Sequence, residues 1–420
     1  MKIKIRYVTL VEIMLLISSV GGLIISISKI GNAIYYCSDV INIILCIFAI
    51  RKIVKNKQKY NFRILNLIFI IFIFNTVAGA IINNVSIKLV LWGTRNVYRF
   101  YLFFVSCCIL LEKEDIEETF KLYKYLFIIN FIITIFQFFI FKLKGDYLGG
   151  IFGNKQGCNG ATTIFINIYI AYIICGYLNK NFKLRTAIPY FIMYFVISGL
   201  AELKGNFIFF AIIYLIAIML FKKNRRTISL SCLALIMIVV GLNVLQKAFP
   251  GSYEIVFNMS KANSYMDARY FEYKTFTRNK QLETVNKYFF DNNIILYLFG
   301  YGIGACDTSQ YITSDFFEQY GYMNYRQYGA SMMTLQNGYS GLILYFTFFV
   351  YCGIYAVKNG KQNSSKLLNA FVPLVSVFAI VDSFYASLFI DSAYWIYFVF
   401  AIPFILNKNI DDKEKKRNDS

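Results

Sequence analysis

Apolar residues in this chain gather into long blocks, set apart by short polar and basic stretches. About twelve such blocks lie between Tyr7 and Leu406, and a helix that crosses a bilayer needs roughly 20 apolar residues. The blocks predict helices at 7–28, 33–50, 64–82, 91–111, 122–141, 159–179, 187–201, 206–221, 227–246, 339–357, 367–388 and 389–406. A single long polar break, from Lys247 to Gly338, interrupts the series late. The predicted fold class is therefore all-α, a polytopic integral membrane protein with about twelve transmembrane helices. It forms one membrane domain over residues 1–420, with a large extracytoplasmic loop over 247–338 between helices nine and ten. Elaborate polar chemistry needs chain outside the hydrocarbon, so function is expected where that loop meets the helix ends.

The basic residues set the orientation. Lys2, Lys4 and Arg6 precede the first block, and the stretch Arg51 to Arg63 holds six Lys and Arg. Further clusters occur at Lys180 to Arg185, Lys222 to Arg226, Lys358 to Lys366 and Lys408 to Arg417. If every block is a helix, all of these fall on one side, which is the positive-inside pattern. Both termini are then cytoplasmic, in a multi-pass membrane protein. The acidic run Glu112 to Glu118 lies on the same side, but acidic residues contribute little to this rule. No small-residue cleavage site follows the first block, which reads as an uncleaved first helix.

Composition narrows the chemistry. The chain is 58% hydrophobic, with a mean hydropathy of +0.54, far outside soluble globular usage. The formal charge of +20 would suggest nucleic acid in a soluble protein; here it resides in loops, and no nucleic-acid partner is needed. Histidine is absent, which removes the usual general base and the commonest metal ligand. The nine cysteines are scattered without metal spacing, so no cofactor or metal is expected. Cys158 and Cys306 fall in predicted external segments and could pair.

Candidate chemistry lies in cations at the outer face: Arg95, Arg99, Lys155, Lys204 and Arg269. Arg95 and Arg99 are four apart and share a helix face. Such a cluster suits a lipid phosphate or pyrophosphate, which Arg grips in a bidentate way; snorkelling to headgroups is the plain alternative. Predicted helices seven and eight meet in the hairpin Ala201–Gly205, which puts Glu202 and Lys204 at membrane level. In the loop, Asp267-Ala268-Arg269-Tyr270 opens a predicted helix whose stripe of Leu282, Val285 and Phe289 suits packing or interfacial burial. Gly300-Tyr301-Gly302-Ile303-Gly304 is a turn whose glycines allow close backbone approach to a ligand. The tyrosines that follow suit a sugar surface and a membrane interface equally. Gly149 to Lys155, with Asn154, reads as an outer turn. Asp382 and Asp391 are costly within or near the last helices, and no role is assigned to either.

At these residues the chain resembles the O-antigen polymerase and O-antigen ligase superfamily, in its Wzy-type polysaccharide polymerase branch. Phe152-Gly153-Asn154 is similar to the family's turn before a helix, and Glu202-Leu203-Lys204 to its basic hairpin. Arg269 lies where the family has an arginine early in the large loop, and Gly300 to Gly304 is similar to its glycine-rich turn. Gln336-Asn337-Gly338-Tyr339 enters a helix where ligases have His-Asn. An amide does not titrate, so Gln336 points away from a ligase and toward a polymerase.

The resemblance implies a membrane glycosyltransferase. Its partners would be an undecaprenyl-pyrophosphate-linked oligosaccharide and membrane lipid, with a chain-length regulator and a flippase as companions. Lys204 and Arg269 would hold the pyrophosphate, and Glu202 or Asp267 would deprotonate the acceptor hydroxyl. Arg95, Arg99, Asn154, Lys155, Gly300, Gly302, Gly304 and Asn337 would bind substrate. The rival readings are a lipid-linked oligosaccharide flippase or other transporter, an O-antigen ligase-type enzyme, and a mannosyltransferase-like enzyme. The last carries an acidic pair in a long first outer loop, and here that loop is short, with Asp39 alone nearby.

Overall fold

In hydrocarbon each backbone N–H and C=O must find a partner within the protein, so apolar blocks fold as helices. The computed structural model describes residues 6–28, 31, 33–56, 62–221, 224–258, 260–261, 263–264, 275–359, 366–387 and 393–418. Asp267, Arg269 and Asp391 lie outside the described residues. The helices in chain order are α1 (Tyr7–Ile27), α2 (Ala33–Asn56), α3 (Arg63–Ile82), α4 (Ile87–Leu110), α5 (Lys113–Phe139), α6 (Cys158–Leu178), α7 (Leu184–Leu200), α8 (Gly205–Leu220) and α9 (Arg225–Ala248). The loop region carries the short α10 (Pro250–Phe257), α11 (Gln281–Val285), α12 (Ile294–Phe299) and α13 (Asp315–Tyr320). The chain closes with α14 (Gly329–Asn359), α15 (Lys366–Ser383) and α16 (Ala393–Asn418).

The protein is all-helical. Among the described residues, eight helices are long and apolar enough to cross a membrane: α1, α2, α3, α5, α6, α9, α14 and α15. Three more, α7, α8 and Ala393–Lys408 of α16, are apolar but shorter. Helix α5 begins at Lys113 rather than at residue 122, because Glu112 and Asp115 close a reciprocal cap on its polar first turn.

Burial ranks the helices from centre to rim. The most apolar window of α6 is 89% buried, against 22% in α2. Helix α6 is the axis, and α2, α3 and α9 show apolar flanks such as Ile43, Ile70 and Leu235, as lipid-facing helices do.

Polar contacts mark two ends of the bundle. Arg6 reaches Asp115 and Glu118 at 3.1 and 2.8 Å. Lys52 and Lys408 lie 3.3 and 4.0 Å from Glu112, and Arg226 donates to the Tyr177 carbonyl at 2.8 Å. The basic residues that precede α1, end α2, begin α9 and lie in α16 thus gather at one end. The hairpin between α7 and α8 and the long α9–α14 loop occupy the other.

The loop packs around its own core of Phe276, Val285, Phe289, Phe290, Cys306, Met323 and Tyr325. The predicted stripe of Val285 and Phe289 is therefore packing. Tyr320, Tyr325 and Tyr328 join this core or pack against it, whereas Tyr311 and Tyr322 are exposed.

A break in α14 locks the loop to the bundle. Gly338 sits at φ 66° and ψ −174°, which interrupts the helix. The Gly300–Gly304 turn fills the gap, with the Tyr301 N–H on the Leu335 carbonyl (2.8 Å) and the Gly302 N–H on the Gln336 carbonyl (2.9 Å). Asn75 of α3 donates to the Asn337 carbonyl at 2.8 Å and accepts from Ser340 at 2.5 Å. Broken backbone at this depth survives only when neighbours satisfy it. Asn75→Leu strands these groups and is expected to destabilise the protein by about 1–3 kcal/mol. Thermal unfolding in detergent reads this, and an unchanged midpoint would mean that water replaces the amide.

Candidate functional site

The α7–α8 hairpin places Lys204. The chain reverses at Glu202, which takes the left-handed φ of 58°. The Leu203 N–H then returns to the Ser198 carbonyl at 2.9 Å. Below it lies a buried polar network: Asn206 donates to Ser198 at 3.0 Å, Asn167 to Asn206 at 3.0 Å, and Tyr194 to Asn167 at 2.8 Å. A satisfied buried network favours one geometry. Above it, the Glu202 carboxylate lies 3.3 Å from the Lys204 ammonium and accepts from the Ser252 hydroxyl of α10. The start of the large loop is thereby tied to the hairpin.

These elements enclose a cavity of about 1330 Å³. Its walls come from the end of α1, the start of α4, the turn before α6, the first turns of α6 and α8, and the loop. Among the described residues six cations line it (Arg99, Lys144, Lys155, Lys204, Arg278 and Arg326), with three carboxylates (Asp146, Glu202 and Asp307), a formal excess of three positive charges. The N-termini of α6 and α8 open onto the same space, and the positive ends of their helix dipoles favour anions. Ile25, Val97, Ile164 and Met332 supply apolar wall. The arrangement suits an amphiphilic anion.

The structure brings Lys204, Glu202, Arg99 and Lys155 into this cavity. Arg95 instead turns to Asp39, donating from Nε at 2.9 Å, and stacks on Trp92 at 4.8 Å. Asp39 also lies 3.8 Å from Arg99, so this acid serves two arginines. Asn154 is exposed beside the cavity, its N–H 3.4 Å from Ser26 Oγ. Gly300, Gly302 and Gly304 face protein: a Cβ on each would stand 2.6, 2.7 and 2.0 Å from Gln336, Ala80 and Leu89 backbone. Asn337 is fully buried, 3.1 Å from the Met333 sulfur. Cys158 lines the cavity, Cys306 is buried in the loop core, and both are free thiols. Asp382 is fully buried, with no hydrogen-bond partner for its carboxylate among the described residues.

Sequence reasoning missed Asp307, Arg326, Arg278 and Lys144. Asp307 is 3% exposed. Its carboxylate accepts from Asn96 at 3.3 Å and lies 4.0 Å from Arg326. Burial pushes its pKa up, and Arg326, Gln336 and Asn96 hold it partly down. Because the folded-state value is raised, Asp307 favours the folded state at acid pH. That contribution fades as pH climbs through the raised value. Gln336, taken above as an inert replacement for a ligase histidine, lines the cavity facing Asp307. The signal for Asp307 was the glycine turn itself. A turn pinned at three positive-φ glycines also fixes the polar residue that follows it.

The chain matches no protein-family model, and no curated protein matches it.

Proposed function

We propose that this protein polymerises lipid-linked oligosaccharide repeat units for a bacterial surface polysaccharide. In this reading all twelve apolar blocks cross the membrane, both termini are cytoplasmic, and the cavity faces outward. Support for that sidedness comes from the basic segments gathered at the far end of the bundle. The observation that carries the reading is the cation-rich cavity where the loop meets the helix ends.

The donor is a growing chain on undecaprenyl pyrophosphate, and the acceptor is a sugar hydroxyl on another lipid-linked unit. Lys204 meets the negative charge that develops on the leaving pyrophosphate, with Arg269 assigned by resemblance and Arg278, Arg99 and Lys155 from the cavity wall. Glu202, paired with Lys204 and Ser252, orients that lysine. Arg95 pairs with Asp39.

Purified protein in lipid discs, given a lipid-pyrophosphate repeat unit, is expected to yield a ladder spaced by one repeat. Absence of a ladder, with movement of the same lipid across sealed vesicles, would replace this reading with a flippase.

A further inference from the structure

The proposed reaction needs a group that accepts the proton of the acceptor hydroxyl, and the chain has no histidine. Among the described residues three carboxylates line the cavity, and each already has a polar partner. Glu202 pairs with Lys204 and Ser252. Asp146 is exposed and accepts from Asn159 at 3.1 Å.

Asp307 differs in burial: it is 3% exposed, with its carboxylate beside Asn96 and Arg326. Its N–H donates to the Gly304 carbonyl and its own carbonyl accepts from the Ser314 N–H, each at 3.1 Å. The backbone is thus held where the residue lines the cavity wall. Beside it, Gln336 lines the same cavity with its side-chain amide against the Asp307 carboxylate, placed to meet a sugar hydroxyl there. Trp92, one turn before Asn96 on α4, lines the same cavity.

We propose that Asp307 is the general base that takes the proton from the acceptor sugar hydroxyl, while Gln336 orients that sugar. This rests on the polymerase reading above. The acceptor O–H breaks and its proton moves to the Asp307 carboxylate. The acceptor oxygen forms a bond to the donor anomeric carbon. The bond from that carbon to the phosphate oxygen breaks, and its electron pair leaves with the lipid pyrophosphate. Asp307 then returns the proton to water. Burial raises the basicity of this carboxylate, as the role requires. The titratable groups around it are Arg326 and Tyr325 from the following turn and its neighbour Cys306. Arg326 holds Asp307 down, while Tyr325 and Cys306 stay protonated because their own pKa values are raised.

The test uses the full chain in lipid discs with the lipid-pyrophosphate repeat unit. Failure of the wild type to make a ladder defeats the polymerase reading itself. Given a wild-type ladder, Asp307→Asn is expected to lower turnover by about 10²–10⁴-fold with lipid binding retained, and Asp307→Glu to recover part of the rate. The wild-type profile of kcat/KM against pH is expected to fall on the acid side, above the ordinary carboxylate range, and that limb should vanish in the residual activity of Asp307→Asn. A wild-type rate in Asp307→Asn overturns the proposal. So does an acid limb that persists unchanged in it. If Asp307→Asn does not fold, the wild-type profile decides, and a flat acid side overturns the proposal.

Discussion

Gly304→Ala is expected to yield little folded protein. Gly304 has φ +83°, and an added Cβ would stand 2.0 Å from the Leu89 carbonyl oxygen and 2.5 Å from its carbon. Those atoms belong to α4 backbone, which cannot rotate away as a side chain does. The left-handed backbone costs a non-glycine residue about 1–2 kcal/mol, and forcing the turn off α4 adds about 1–3 kcal/mol. Together they amount to about 2–5 kcal/mol, a large share of the stability of an ordinary domain. Gly157→Ala is the control, because Gly157 has φ +85° but nothing within 4 Å of its added Cβ. It should lose only the backbone term, about 1–2 kcal/mol. Thermal melting of both variants by size-exclusion separates the effects. Equal midpoints would mean that the turn is not seated against α4. Any Gly304→Ala protein that survives should also lose activity, since the displaced turn carries Asp307.

The helices were legible because membrane folding leaves one solution for a long apolar block, and that solution depends on local sequence alone. The break at Gly338 was not. It depends on a turn 34–38 residues earlier, Gly300–Gly304, and on Asn75 of α3, and neither marks the sequence near Gly338. Lys204 could be found because a lysine between two short apolar helices has nowhere apolar to go. The position of Arg95 could not be read for the converse reason. Its sequence signal equals that of Arg99, and only the packing of α2 against α4 shows that Asp39 claims it at 2.9 Å. The glycine turn drew attention as a ligand-binding loop, yet its glycines serve contacts to α3, α4 and α14. Its chemical contribution comes from Asp307, the residue it positions.

Lys204→Ala is expected to cut polymer formation by about 10²–10³-fold while leaving insertion and protein level near wild type. The hairpin is held by the Ser198 carbonyl and the Asn167–Asn206–Tyr194 network, so the lysine side chain is not what closes it. Its side chain is 14% exposed and paired with Glu202 at 3.3 Å, so truncation leaves a half-buried carboxylate less well compensated and lowers the melting midpoint somewhat. Lys204→Ala with Glu202→Gln resolves the two contributions. Removing both charges relieves the stranded carboxylate, and the midpoint should recover. If the lysine serves only the hairpin, activity should recover with it. If it meets charge on a leaving pyrophosphate, activity should stay low, because the neutral pair restores packing without restoring a cation. Lys204→Arg should keep much of the rate, since the positive charge remains at the mouth of α8. A ladder of normal length and rate from Lys204→Ala would remove this residue from the site and leave Arg278, Arg326 and Arg99 to carry the charge.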